Sequence, residues 1–273
     1  MTNTTKFHST DMSALSAYDD YLVPRLFEPW ADKLLEQVKL KPGDIVLDIA
    51  TGPGTVARAA ASKVGPNGHV FAIDHSKPML DIAKAKPAPA CAARIEYLLS
   101  PAVPLPGSSG IFDAVLCEQG LQFFPDRQAA LSEMRRVLKP DGRAGIAVWA
   151  GLERNRIFAA YHAALLATGS RELADLMATP FGWPDGAALK RAAEDAGFRR
   201  VQLLTLSLPI LFEGGADQAI RAFSATPVWP GIAALCPEVQ AAFFACVREE
   251  MAALQISGNI VAEMVSNVII AEP

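Results

Sequence analysis

An α/β fold built on a parallel sheet is what three features of this 273-residue chain predict. Strand-like and helix-like segments alternate from about residue 30 to 150, the pattern of a sheet covered by helices on both faces. The run "IVLDIATGPGTVARAAA", Ile45 to Ala61, joins an apolar strand to an alanine-rich helix through a tight glycine-bearing turn. Asp74 closes the next strand-like run, 20 residues beyond Gly54.

The elements follow in order. A helical entry spans Arg25 to Val38, "KPGD" turns the chain, and Ile45 to Ile49 reads as a buried strand. Thr55 to Val64 is a helix ending at "GPNG", and His69 to Ile73 is the second strand. Ser76 is the expected N-cap of the next helix, with Pro78 in its first turn, where the missing N–H costs little. "RIEYLL", Arg94 to Leu99, is the third strand, and the loop "SPAVPLPGSSG" leads to the fourth, Phe112 to Cys117. Asp126 to Leu138 is a helix closed by "KPDG", before a fifth strand at Ala144 to Ala150. Beyond it, Asn155 to Ala167 and Gly186 to Ala196 have helical spacing, and "VQLLTLSLPILF" is a long strand. A helical stretch from Ala216 to Leu254 precedes the closing strand "IVAEMVSNVIIA".

Composition narrows the function. The chain is 51% apolar, yet no apolar run approaches the roughly 18 to 20 residues of a membrane span. With no secretory signal in "MTNTTKFHST", a soluble cytoplasmic protein without a membrane span is expected. Cys91, Cys117, Cys236 and Cys246 are widely spaced with no CxxC, so reduced core thiols are expected and no metal site. A net charge of −4 opposes nucleic acid as a partner and suits a small-molecule acceptor. A homodimer is compatible with all of this.

Open parallel sheets hold ligands at the C-terminal ends of their strands, where strand order reverses. Gly52, Gly54 and Ala57 read as GxGxxA, and with Asp74 they satisfy a dinucleotide fingerprint as well as other readings. Asp48 discriminates. A carboxylate four residues before Gly52 repels a pyrophosphate and stabilises an ammonium group. Thr51 and Gly52 then offer backbone groups to an amino-acid moiety, and Asp74 accepts from two ribose hydroxyls. S-adenosylmethionine combines these features. The alternatives are an NAD(P)-dependent oxidoreductase, which Asp48 disfavours, and a noncatalytic S-adenosylmethionine binder.

At these residues the sequence resembles the class I S-adenosylmethionine-dependent methyltransferases, in the small-molecule branch similar to the ubiquinone and menaquinone biosynthesis methyltransferases. "VLDIATGPGT", "AIDHSKPML", "LPGSSGIFDAVLCEQGLQFFPD" and "RRVLKPDGRAGIAVW" match that family's motifs in order, and the resemblance covers most of residues 18 to 150. It implies a Rossmann-like three-layer sandwich: a seven-stranded, mostly parallel sheet with the last strand antiparallel, plus helical cap insertions. It also implies transfer of a methyl group to an O, N or C atom of a small, apolar or aromatic metabolite. One domain over residues 1–273 is expected, with lid helices in 1–40, a cofactor-binding core in 41–150, and the remaining strands with an inserted substrate cap in 151–273.

By the same resemblance Asp48, Thr51, Gly52 and Gly54 border the methionine end of the cofactor, Asp74 the ribose with His75 beside it, and Met79 the adenine face. Glu118, Gln119 and Leu121 match the segment beside the transferred methyl group. The sequence departs from the family at Ser100-Pro101-Ala102, where an acid usually recognises adenine, so that task is expected of Ala102 and Val103 backbone groups. "YDDYLVPRLFEPW" resembles the lid helix, with Tyr18 and Tyr21 on one helical face, Tyr21 toward the cofactor. Trp183 and Trp229, with Phe181 and Phe223, are read as loop aromatics lining a substrate pocket. His162 is the candidate general base, since an imidazole titrates near neutrality.

Overall fold

The computed structural model describes residues 12–273. Its strands among the described residues are β1 (Ile45–Ile49), β2 (His69–Asp74), β3 (Arg94–Leu99), β4 (Phe112–Glu118), β5 (Leu138–Trp149), β6 (Arg200–Phe212), β7 (Gln255–Ile256) and β8 (Asn259–Glu272). They form one sheet in the order β3-β2-β1-β4-β5-β8-β6, and the short β7 pairs with β8 as an addition to the seven expected strands. The pairs β3·β2, β2·β1, β1·β4 and β4·β5 are parallel. β8, the last strand, runs antiparallel to β5. The described chain forms two compact units, one of residues 27–149, 185–206 and 266–273, the other of residues 12–26, 150–184 and 207–265.

In the first unit, β1 is buried from Val46 to Ile49 because helices cover both its faces. The connections between parallel neighbours are α3 (Thr55–Val64), α4 (Lys77–Ala85) and α5 (Arg127–Val137). Right-handed crossovers put α3 and α4 on one face and α5 on the other, because strand order runs one way from β1 to β3 and the opposite way from β4 to β5. α2 (Glu28–Val38) packs on α3, and α8 (Gly186–Asp195) packs on α5. The predicted Ser76 cap is present, accepting from the Met79 N–H, and Asp126, expected as a helical residue, instead caps α5 by accepting from the Ala129 N–H at 2.8 Å.

Several boundaries differ from expectation. β5 starts at Leu138, not Ala144, because "KPDG" stays extended: Leu138 pairs with Phe112 before a register shift resumes pairing at Ala114 and Arg143. Tyr18–Phe27 is a π-helix containing Pro24, so Tyr18 and Tyr21 are not stacked as they would be three apart in an α-helix. The helical stretch after β6 is three helices, α9 (Gly215–Phe223), α10 (Trp229–Ala233) and α11 (Pro237–Ala252), because prolines at 227, 230 and 237 punctuate it. Of the cysteines only Cys117 is fully buried, whereas Cys91 and Cys236 are exposed, so the core-thiol reading fails for those two.

The second unit also contains α1 (Met12–Ala17), α6 (Arg156–Ala167) and α7 (Arg171–Ala178). α6 packs on α7 and α11 around an aromatic core. The Tyr161 and Phe223 rings stack 3.6 Å apart, and Phe158 contacts both Phe181 and Phe223. Phe223 lies at the end of a helix, Trp229 begins one, and Phe181 sits in a 3-10 turn, so these three are not the loop aromatics anticipated. Phe223 and Phe181 are buried, and Trp229 packs 6.1 Å from Phe244. The rings of Phe181 and Phe223, with those of Phe158 and Tyr161, form part of the unit's core.

Candidate cofactor site

Strand order reverses between β1 and β4, and the chain leaves both strands there by uncommon backbone. Ala50, just after β1, has φ +57°, and Gln119, just after β4, has φ +51°. Left-handed conformations at residues other than glycine cost energy and cluster at functional sites. Gly120 approaches Ala50 so closely that an added Cβ would sit 2.7 Å from the alanine Cβ. Sequence reasoning missed Ala50, because alanine carries no signal for this conformation.

The glycine turn sits directly above. Thr51 N–H donates to the Ile73 carbonyl at 3.0 Å, extending the β1·β2 ladder by one bond, and Gly54 N–H closes the turn onto the Thr51 carbonyl at 2.9 Å. Gly52 has φ +53° and Gly54 +82°. Gly54 must be glycine for a second reason: a Cβ there would lie 2.8 Å from the Tyr97 hydroxyl and 3.1 Å from the Ala83 Cβ. The N-cap residue of α3, Gly54, has no side chain to cap the helix, and the Ala57 N–H of its first turn bonds the Asp48 carboxylate.

Asp74 is buried and holds the turn. One carboxylate oxygen accepts from Gly52 N–H and the other from Ser76 N–H, both at 2.8 Å. A carboxylate has about four acceptor positions, so two remain for a ligand's hydroxyls. His75 Nδ1 lies 3.5 Å from Asp74 Oδ1 and its side chain is largely exposed. Met79 is half-buried on α4, Ala102 is half-buried and Val103 exposed. Ser100 N–H donates to the Asp74 carbonyl, and its hydroxyl donates to the Pro101 carbonyl.

Three carboxylates gather on the α2 and α3 side. Asp48 is buried at the end of β1 and accepts from the Thr51 hydroxyl at 2.5 Å. Burial pushes its carboxyl up to about 7, against the Thr51 and Ala57 hydrogen bonds, with the negative charge of Asp74 adding to the rise. Glu118 Oε1 is buried and accepts no hydrogen bond. Burial first, and then the charges of Asp48 and Asp32, hold Glu118 well above the usual carboxylate range. Thr55 Oγ1 is likewise buried and unpartnered, and with Asp32, Arg58 and Glu28 it lines a cleft of about 250 Å³.

Gln119 is committed elsewhere. Its Nε2 donates to the Ser266 hydroxyl at 2.9 Å, that hydroxyl donates to the Val148 carbonyl, and the Gln119 amide oxygen faces Gln122 Nε2 at 3.5 Å. The amide therefore fastens the end of β4 to β5 and β8. Leu121 is fully buried in a 3-10 turn. Tyr18, Tyr21, His162, Trp183 and Trp229 belong to the second unit. There Tyr21 is 40% exposed, and Tyr18, His162, Trp183 and Trp229 are half-buried.

A parallel sheet with a glycine turn at the reversal, an acid closing β2 and a carboxylate inside the turn places the protein among the α/β proteins whose open sheets present a ligand site at the strand-order reversal. Residues 8–211 match the model of the ubiE/COQ5 methyltransferase family, and the chain belongs to that family. It is 38% identical over 118 residues to a demethylmenaquinone methyltransferase of Lactobacillus johnsonii, covering 43% of this chain and 48% of that one. The chain thus matches about half the length of that relative. It is 35% identical over 191 residues to nocamycin O-methyltransferase of Saccharothrix syringae, covering 65% and 67%. Among solved structures, a SAM-dependent methyltransferase of Aquifex aeolicus aligns with a TM-score of 0.54 at 26% identity, over 71% of this chain and 92% of that one. A Haemonchus contortus phosphoethanolamine N-methyltransferase 2 in complex with S-adenosyl-L-methionine aligns with a TM-score of 0.61 at 18% identity, over 96% and 57%, a likeness of fold.

Proposed function

We propose that this chain transfers the methyl group of S-adenosylmethionine to an oxygen, nitrogen or carbon atom of a small, apolar or aromatic metabolite. The observation that carries this reading is a pair of carboxylates, the buried Asp48 and the half-buried Glu118 with its Oε1 buried, beside a glycine turn and without a cationic partner among the described residues. Buried charge needs a counter-charge, and a sulfonium amino acid supplies one where a pyrophosphate would add repulsion. The sulfonium activates the methyl carbon for displacement. The chain's own work is to align donor and acceptor and exclude water.

In this reading Thr51, Gly52 and Gly54 border the amino-acid end, Asp48 and Glu118 face its cationic groups, and Asp74 takes the ribose. His75, Met79 and the backbone at Ala102 and Val103 flank the base, and Gln119 acts by fixing backbone at the rim. Tyr18, Tyr21, Leu121, Trp183 and Trp229 belong to lid and acceptor pocket, and His162 is the residue tested as general base. Relatives named for demethylmenaquinone and nocamycin support a small organic acceptor, and the second favours oxygen. Calorimetric titration with S-adenosylmethionine, S-adenosylhomocysteine and NAD(H) tests the reading: micromolar binding of the first two is expected, and tight nicotinamide binding without them overturns it.

A further inference from the structure

Asp48 and Glu118 lie on one face of the sheet: Asp48 pairs with Leu116 across β1·β4, and Glu118 follows Leu116 by two residues. Asp48 is buried with the Thr51 hydroxyl as its hydrogen-bonding side chain, and Glu118 Oε1 is buried with no donor at all. The groups acting on them are mostly acidic: Asp32 from α2, Asp74 from β2 and Cys117 within β4. Tyr97 from β3 also faces Asp48, and the nearby cation, Arg58 of α3, acts on Tyr97 and donates to the Pro87 carbonyl. None of Asp32, Asp48 and Glu118 has an ion-pair partner among the described residues.

We propose that Asp48 and Glu118 form a proton store coupled to the charge of the methyl donor: the pair gives up a proton when a sulfonium enters the site and takes one back when the sulfonium has become a thioether. This rests on the methyltransferase reading. Without a cation, the buried Asp48 and a neighbouring Glu118 whose Oε1 is buried without a donor do not readily ionise together, so the pair retains a proton near neutrality. A fixed positive charge beside them stabilises the doubly ionised form. In the transfer step the acceptor's X–H bond breaks, the new X–C bond forms, and the S–C bonding pair stays on sulfur. The proton from X leaves by way of the general base and the pair takes up one proton, so net charge inside the site is the same before and after. The donor's lost charge thereby becomes the driving force for deprotonating the acceptor.

The test counts protons. Titrations of the full chain at pH 7 in phosphate and in Tris, whose ionisation enthalpies differ, give the number exchanged on binding. S-adenosylmethionine is expected to release about half a proton to one proton more per site than S-adenosylhomocysteine. Glu118→Gln and, separately, Asp48→Asn are each expected to cut that excess at least in half. A second measurement needs no variant: between pH 6 and 8, affinity for the sulfonium ligand should rise more steeply than affinity for the thioether. Equal proton counts for two tightly bound ligands overturn the coupling and leave the methyltransferase reading standing. Failure of both ligands to bind overturns both together.

Discussion

Asp74 accepts the backbone N–H of Gly52 at 2.8 Å, tying the end of β2 to the glycine turn after β1. The same carboxylate accepts Ser76 N–H at the start of α4. One side chain thus sets the height of the turn and the direction of the next helix, while retaining acceptor positions for a ligand. This coupling makes the residue structural, and the ribose contact proposed for it is a second role that experiment separates from the first.

Asp74→Ala should weaken S-adenosylmethionine binding more than tenfold, since charge-assisted hydrogen bonds are each worth roughly 1.5–3 kcal/mol. It should also lower stability, because two backbone N–H groups lose their partner. Asp74→Asn keeps an acceptor oxygen and should recover part of the stability but little of the affinity. Calorimetry and urea unfolding on the same samples measure both.

The two glycines of the turn should respond differently. Gly52→Ala meets no atom within 4 Å and bears only the left-handed backbone cost of about 1–2 kcal/mol. Gly54→Ala bears that cost and also drives a methyl to 2.8 Å from the Tyr97 hydroxyl. It should therefore be the less stable variant by at least about 1 kcal/mol. Adding Tyr97→Phe should restore part of that difference and none of the backbone cost.

For Asp48 the pH dependence has a definite sign. The carboxyl rises from an ordinary 3.8 to about 7 on folding, so between those values the folded chain holds a proton that the unfolded chain has released. Stability from this group is greatest below 3.8, falls by about 1.4 kcal/mol per pH unit through the window, and is level above about 7. Asp48→Asn removes the penalty. Its stability relative to wild type, followed by urea unfolding without ligand, should rise from pH 5 to pH 7 and then stay constant.

Tyr161 hides a hydroxyl that accepts and donates nothing, beneath a ring stacked on Phe223. Tyr161→Phe should be neutral or stabilising by up to about 1 kcal/mol, because an unpaired buried hydroxyl is a cost. Phe223→Ala, which empties the space under that ring, should cost about 3–5 kcal/mol. Thermal unfolding distinguishes them.

His162→Ala separates catalysis from packing. A hundredfold or greater fall in turnover with unchanged S-adenosylmethionine affinity is expected of a general base. Turnover at the wild-type level would remove His162 from the chemistry.

The sequence made the first half of the fold readable because its signals were local. β1, α3 and β3 begin and end where they were predicted, at Ile45–Ile49, Thr55–Val64 and Arg94–Leu99, since glycines, prolines and burial on both faces punctuate them. "KPDG" carried turn chemistry that strand pairing to Phe112 overrode. In the site, Asp48 and Asp74 were legible because strand ends fix where their side chains fall. Gln119 was not, because its amide answers to Ser266, 147 residues further along. The late aromatics looked like pocket linings in sequence, and long-range packing made Phe181 and Phe223 part of a core.

β8 comes after every other element in the described chain, yet it sits between β5 and β6. During synthesis β6 is therefore made without the neighbour it needs, and α9, α10 and α11 must emerge before that neighbour exists. A long strand with open hydrogen-bonding edges is a template for the wrong partner while it waits. Expression at lower temperature, or with a chaperone that holds nascent chains, should raise the yield of folded protein more than any change within β1–β5.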